Sequence, residues 1–297
     1  DRSKLEFDLE SQRQKQRSVP GYQLLGGETI PTGVEWDRLL GYQSWSKPVT
    51  NESLNTSLKY SYQINDNWSS NLSASQSRVV VDDYSAFAYT FDTDGNYDIY
   101  DFRSPDDSYL TNQFKTGLNG AFNTGAWQHS LSLELSHAYK RHTQYESTYS
   151  MVNVGAGNIY NDPITHTPND RDLGNHYKSL DSQQTALNVL DQIEFNDTWS
   201  VLLGGKLLHL NESAYAADGN SIRDTDFNRF LPQLALMYQP WQNTHLYASY
   251  AKGISDGSQA PWSAYGNPDK GIVGNAFETL APRRSTQYEL GLKQQWQ

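Results

Sequence analysis

The sequence predicts an all-β chain, an antiparallel transmembrane β-barrel wall of about ten strands. Three observations carry that prediction. Apolar residues recur with period two rather than 3.6. Extended segments are joined alternately by short Asn-, Asp- and Gly-containing turns and by long polar connections. A tryptophan stands beside each of four short turns.

Taken in order, Leu5, Phe7 and Leu9 open the alternation. Leu54, Thr56, Leu58, Tyr60, Tyr62 and Ile64 then share one face of a strand, and Asn55, Ser57, Lys59, Ser61 and Gln63 share the other. Asn65-Asp66-Asn67 has tight-turn composition, and Trp68, Ser70, Leu72 and Ala74 resume the pattern. A second hairpin runs through Leu118, Gly120 and Phe122, turns at Asn123-Thr124-Gly125, and continues with Trp127, His129, Leu131, Leu133 and Leu135. In the third, Leu187, Val189, Ile193 and Phe195 precede Asn196-Asp197-Thr198, followed by Trp199, Val201, Leu203, Gly205 and Leu207. The fourth joins Leu234, Leu236 and Tyr238 to Leu246, Ala248 and Tyr250 through Pro240-Trp241-Gln242-Asn243. Tyr288, Leu290 and Leu292 close the series.

The long connections fall near 16–49, 83–109, 143–180, 214–227 and 253–284, all at one end of the strands. A β-sandwich has short connections at both ends, whereas a membrane barrel has periplasmic turns at one rim and long extracellular loops at the other. Strands of about ten to fifteen residues suffice to cross a bilayer at a tilt. Trp68, Trp127, Trp199 and Trp241 then form part of a periplasmic aromatic girdle, where an indole meets lipid and headgroup together.

Composition narrows the alternatives. The 297 residues leave room for two average domains or one large β domain. Only 36% are hydrophobic, which argues against an oily helical membrane protein, while 8 Trp and 20 Tyr argue against disorder. No segment approaches ~18 consecutive apolar residues, so no spanning helix is expected. With 23 Lys and Arg against 34 Asp and Glu, the net charge is -11; basic clusters are limited to Arg13 to Arg17 and Arg283-Arg284, and no nucleic-acid partner is expected. The absence of cysteine removes disulfides, thiolate metal sites and thiol nucleophiles. The opening Asp1-Arg2-Ser3-Lys4-Leu5-Glu6 lacks an apolar signal region, and the chain reads as processed or excised.

No Walker A, HExxH or GxSxG motif is present, and no positioned base or nucleophile stands out, so catalysis is not expected. Asp82-Asp83 and Asp106-Asp107 lack EF-hand spacing and read as solvated acidic loops. The seven histidines, His129, His137, His142 and His166 among them, show no metal-ligand spacing, although His137 and His142 could approach one another at a strand end. The long loops carry more information. Gly41 to Trp45, Tyr84 to Tyr89, Asn96 to Tyr100 and Pro261 to Tyr265 supply flat side chains with polar tips. Trp45, Tyr84, Tyr89, Tyr97, Tyr100, Trp262 and Tyr265 are candidates to line a site for a mixed polar and aromatic ligand, and Arg103, Arg141 and Arg171 to neutralise an anionic one.

Near the end, Asn275-Ala-Phe-Glu-Thr-Leu280-Ala-Pro282 leads into Tyr288-Glu289-Leu-Gly291-Leu-Lys293, preceded by Phe230-Leu-Pro232, Tyr238-Gln-Pro240 and Leu246-Tyr-Ala-Ser-Tyr250. This ordered combination resembles the barrel of TonB-dependent outer-membrane receptors, in particular the ferric-siderophore branch. The resemblance implies a 22-stranded barrel, of which this chain holds the earlier strands and lacks the N-terminal plug, the TonB box and the later strands. It further implies a Gram-negative outer-membrane protein, in contact with lipid and lipopolysaccharide, that imports a ferric siderophore with energy delivered by TonB-ExbB-ExbD through the plug of the full-length parent. The ferric chelate is cargo, and no covalently bound cofactor or protein metal site is implied. Alternatives are import of cobalamin, haem or a glycan, a passive porin or adhesion barrel, and a soluble carbohydrate-binding β protein.

Overall fold

The computed structural model describes residues 2–18, 21–147, 151–161, 163–255 and 282–295. Strands are β1 (Ser3–Gln16), β2 (Val49–Asn65), β3 (Trp68–Tyr89), β4 (Asn96–Thr124), β5 (Trp127–Tyr145), β6 (Met151–Asn158), β7 (His176–Glu194), β8 (Trp199–Tyr215), β9 (Ser221–Trp241), β10 (Thr244–Ser255) and β11 (Arg283–Gln294). No helix occurs among the described residues. The strands form one antiparallel sheet in the order β1-β2-β3-β4-β5-β7-β8-β9-β10-β11, with β6 paired to β4 off that path.

Register explains why the sequence alternates. Leu5, Tyr60, Leu72, Thr116, Leu135, Leu187, Leu207 and Phe230 align as one row across eight strands. The row faces outward, with Leu207 53% and Phe230 57% exposed. The next row, on the opposite face, begins Glu6, Lys59, Ser73, Lys115 and Ser136. A continuous exposed apolar face backed by a polar one suits a wall between lipid and an aqueous lumen.

The tryptophans measure the tilt of that wall. Trp127 and Trp199 sit about four residues below the row of Trp68, and Trp241 about three residues lower again, five interstrand spacings from β3. At ~3.3 Å per residue and ~4.8 Å per strand, a level girdle requires strands tilted by roughly 44°, within the range of membrane barrels. Two of the turns share one device. Asn65 Oδ1 accepts the N–H groups of Asn67 and Trp68 at 2.9 and 3.0 Å, and Asn196 Oδ1 those of Thr198 and Trp199 at 2.9 Å each.

The opposite end differs from the expected pattern in three respects. The 83–109 and 214–227 connections are hairpins whose strands continue to turns at 90–95 and 216–220. The 143–180 connection contains β6, paired with the top of β4. His137 and His142 lie on opposite faces of β5, because residues five apart on a strand have opposite parity.

Candidate functional site

Above the wall, the tops of β3 and β4 with β6 form a small apical sheet. A bulge separates it from the wall: β3 steps from Val81 to Asp83 while β4 steps from Asp107 to Ser104. Asp106, with φ 48°, takes up the extra residue, and its N–H donates to Asp82 Oδ1 at 2.8 Å.

One face of the apical sheet carries Tyr84, Ala86, Ala88, Tyr97, Ile99, Asp101 and Arg103, and protein covers it. Leu25, Leu40, Phe91 and Ile159 join Ala86, Ala88, Tyr97 and Ile99 in an apolar core. Segment 21–48 closes over it so tightly that a Cβ at Gly41 would come within 2.8 Å of Ala88 N, and Gly41 has φ 66° besides. Segment 21–48 is in turn tied to segment 159–171. Gln43, 1% exposed, donates from Nε2 to Ile164 O at 3.0 Å and accepts the His166 N–H at 2.7 Å. Trp45 donates to His166 O at 2.9 Å and stacks on Tyr84 at 5.3 Å.

At the centre of this packing Asp101 is completely buried. Its carboxylate is met by Arg103 Nη2 at 3.1 Å, Arg171 Nη1 at 3.4 Å and the Asn169 N–H at 2.9 Å. Arg103 also lies over the Tyr84 ring at 4.5 Å and donates to its hydroxyl at 3.0 Å. Both guanidinium groups thus serve the interior of the apical body.

The other face carries Ser85, Phe87 and Tyr89 from β3 and Asp98, Tyr100 and Phe102 from β4. Alternation in β3 is uninterrupted across the bulge, so this face continues the polar side of the wall through Ser73, Ser75, Ser77 and Val79. The four aromatics interlock edge to face. Centroids are 5.7 Å apart for Phe87 and Phe102, 6.5 Å for Phe87 and Tyr89, and 6.3 Å for Tyr89 and Tyr100. Burial, then the neighbouring Asp98 charge, raises the Tyr100 phenol above its ordinary value, so it is a neutral hydroxyl at physiological pH. Just below, Tyr109 stacks on His142 at 4.2 Å. His142 is fixed by Ser179 Oγ at 2.7 Å and by Asp107.

Of the residues predicted from sequence, Tyr89 and Tyr100 lie on this aromatic surface. Trp45, Tyr84, Tyr97 and Arg103 pack behind it, with Tyr97 only 3% exposed. Arg141 stands on the outer, lipid-side face of β5, its Nε donating to Tyr139 OH at 2.8 Å. Trp262 and Tyr265 lie outside the described residues. Phe87, Phe102, Tyr109 and His142 were missed, although the period-two spacing of Phe87 with Tyr89 and of Tyr100 with Phe102 was there to be read. The acidic pairs are not simply solvated: Asp107 is buried, and burial raises the pKa of Asp83 despite a hydrogen bond from Ser85. A carboxyl raised in the folded state binds its proton more tightly there than in the unfolded chain. Its contribution is therefore greatest below the unfolded value and is lost as pH rises through the folded one. Asp83→Asn is expected to slow amide exchange in the apical sheet at pH 7 relative to the parent, with the difference vanishing toward acid pH. Equal exchange at pH 7 contradicts this.

Among the described residues, no three His, Asp or Glu side chains converge as a metal site. A family model described as TonB dependent receptor-like, beta-barrel, matches residues 1–297. The chain belongs to the TonB-dependent receptor family. That family consists of transport receptors. The metal-pseudopaline receptor CntO of Pseudomonas aeruginosa is 25% identical over 256 residues, covering 82% of this chain and 33% of the relative. Among solved structures, the ferric preacinetobactin receptor BauA of Acinetobacter baumannii superposes with a TM-score of 0.73 at 18% identity, over 99% of this chain and 42% of that one. The ferric-catecholate import receptor Fiu of Escherichia coli gives 0.69 at 17%, over 99% and 46%. These structures share the receptor-barrel fold, and the chain spans a third to a half of the length of such relatives.

Proposed function

We propose that the full-length TonB-dependent receptor imports a ferric siderophore across the outer membrane of a Gram-negative bacterium, energised by TonB-ExbB-ExbD. The observation that carries this reading is the interlocked aromatic surface of Phe87, Tyr89, Tyr100 and Phe102, standing on the face continuous with the polar side of a receptor-barrel wall. Half-exposed rings and the neutral Tyr100 hydroxyl suit a chelate that combines apolar rings with hydrogen-bonding edges. Tyr89 and Tyr100 would touch the ligand, with Trp262 and Tyr265 contributing from the 253–284 connection. Trp45, Tyr84, Tyr97 and Arg103 hold the surface in shape. Iron comes coordinated by its chelator, so the protein need supply no metal ligands. That relatives and structural neighbours are named as receptors for metal-pseudopaline, ferric preacinetobactin and ferric catecholates supports the same reading.

The test is equilibrium binding to the full-length receptor in detergent, with ferric catecholate, hydroxamate and carboxylate chelates, haem and cobalamin. Saturable binding of one ferric chelate is expected, weakened about tenfold by Tyr89→Ala or Tyr100→Ala, the scale of losing one aromatic contact. Binding of haem or cobalamin with no ferric chelate overturns the assignment.

A further inference from the structure

We propose that the aromatic surface of the apical sheet takes a ferric chelate by a positively charged ammonium group, received by Asp98 and the rings beside it. The inference rests on the transport reading above and names the charge of the cargo. Asp98 stands directly across from Tyr89 in the β3–β4 register, on the same face as the four rings. Its Oδ2 accepts the Thr90 hydroxyl at 2.7 Å and the Tyr100 hydroxyl at 3.4 Å. Both donors are neutral, and among the described residues no cation pairs with this carboxylate, so it is held in place without being neutralised. Thr90 delivers its hydroxyl from a backbone φ of 59°, a conformation that β-branched residues rarely adopt. The strained turn thus fixes the carboxylate beside the rings. The π faces of Phe87, Tyr89, Tyr100 and Phe102 carry negative potential toward the same group.

The cations able to receive an anionic chelate are turned away from this surface. Arg103 and Arg171 share Asp101 behind the sheet. Lys47 lies over the Tyr84 ring on the covered face, and Arg17 over Tyr42 of the covering segment. Arg141 points outward, as does Lys178, which is bonded to Asp181 at 2.7 Å. Arg223, farther round the wall, is paired with Glu212. On β6, the positions in register with Asp98, Tyr100 and Phe102 are Ala156, Asn153 and Met151, none of them charged. His142 shares the face but is held by Asp107, so any positive charge it takes is balanced. Lys140 of β5 does face the lumen, but it aligns through Thr111 with Ser77, ten residues below Phe87. That is roughly 30 Å along the strand, several screening lengths at physiological salt. What stands exposed is aromatic and acidic, a combination that attracts an ammonium group and repels catecholate oxygens.

The experiment is calorimetric titration of the full-length receptor in detergent with three ferric chelates: ferrioxamine B, a monocation with a free ammonium group, its neutral N-acetyl derivative, and the trianionic tris-catecholate of enterobactin. The two trihydroxamates coordinate iron identically and differ only at the amine. The ammonium form is expected to bind about tenfold tighter than the acetylated one, and the tris-catecholate more weakly than either. Asp98→Asn keeps an acceptor for Thr90 and Tyr100 but loses the charge, and the tenfold preference should disappear. Asp66→Asn, in the turn at the opposite rim, removes the same charge and should leave the preference intact. Equal affinity of the parent for the two trihydroxamates overturns the proposal, as does a preference that survives Asp98→Asn. Tighter binding of the tris-catecholate than of either trihydroxamate also overturns it, yet leaves ferric uptake standing. Binding of no ferric chelate removes the transport reading and this inference with it.

Discussion

Replacing Asp101 by Ala in the full-length receptor is expected to abolish ligand capture while leaving the barrel inserted. The carboxylate is wholly buried and meets Arg103, Arg171 and the Asn169 N–H. Removing it takes from Arg103 and Arg171 the carboxylate they share in the apical interior, and losing one partner of a buried ion pair costs about 3–5 kcal/mol. That is enough to open a small body with one apolar core. Its consequence falls on Tyr89 and Tyr100, because β3 and β4 present those rings on the face opposite the one Asp101 secures. Limited proteolysis should cut within 21–48 and 159–175, ferric-chelate binding should be lost, and the heat-modifiable mobility of a folded barrel should persist. Undiminished chelate affinity in Asp101→Ala contradicts the support role. Asp101→Asn keeps the shape but not the charge, and should fall between the two.

Leu236→Arg is expected to destabilise the inserted barrel by about 2–4 kcal/mol, the cost of a guanidinium near the bilayer midplane on the lipid face. Leu236 is 44% exposed and shares its outward row with Ile193, Val201 and Ala248. Ser132, one residue from Leu131, faces the lumen, so Ser132→Arg should be nearly neutral. Urea unfolding in phospholipid bilayers reads both. Equal destabilisation by the two substitutions contradicts the assignment of faces.

The wall was legible because two solvents act on it. Lipid on one side and water on the other force every residue from Leu54 to Ile64, or from Trp199 to Leu207, to declare its face. The apical sheet lacks that contrast. Tyr84, Ala86 and Ala88 pack under segment 21–48 while Phe87 and Tyr89 stand half exposed, so both faces carry apolar groups and period two disappears into an aromatic stretch. β6 is short, and its Val152 and Val154 alternate with Met151, Asn153 and Gly155, which do not make a polar face. Asp101 looks like any surface aspartate in Asp98-Ile-Tyr-Asp101. Its burial depends on Asn169 and Arg171, far along the chain, and no local pattern encodes that. The separation of His137 from His142 was available from strand parity alone.

The apical body is knitted from three connections that leave the wall at different strands. Gln43 and Trp45 grip 164–166, Arg103 and Arg171 share one carboxylate, and the Lys47 N–H donates to Tyr84 O at 2.7 Å. Mechanically this is one lever rather than three flaps. No segment can swing away without severing bonds to the other two, so any motion at this end must carry the whole body together. The natural fulcrum is the bulge at Pro105 and Asp106, where the hydrogen-bonded ladder between β3 and β4 is already broken.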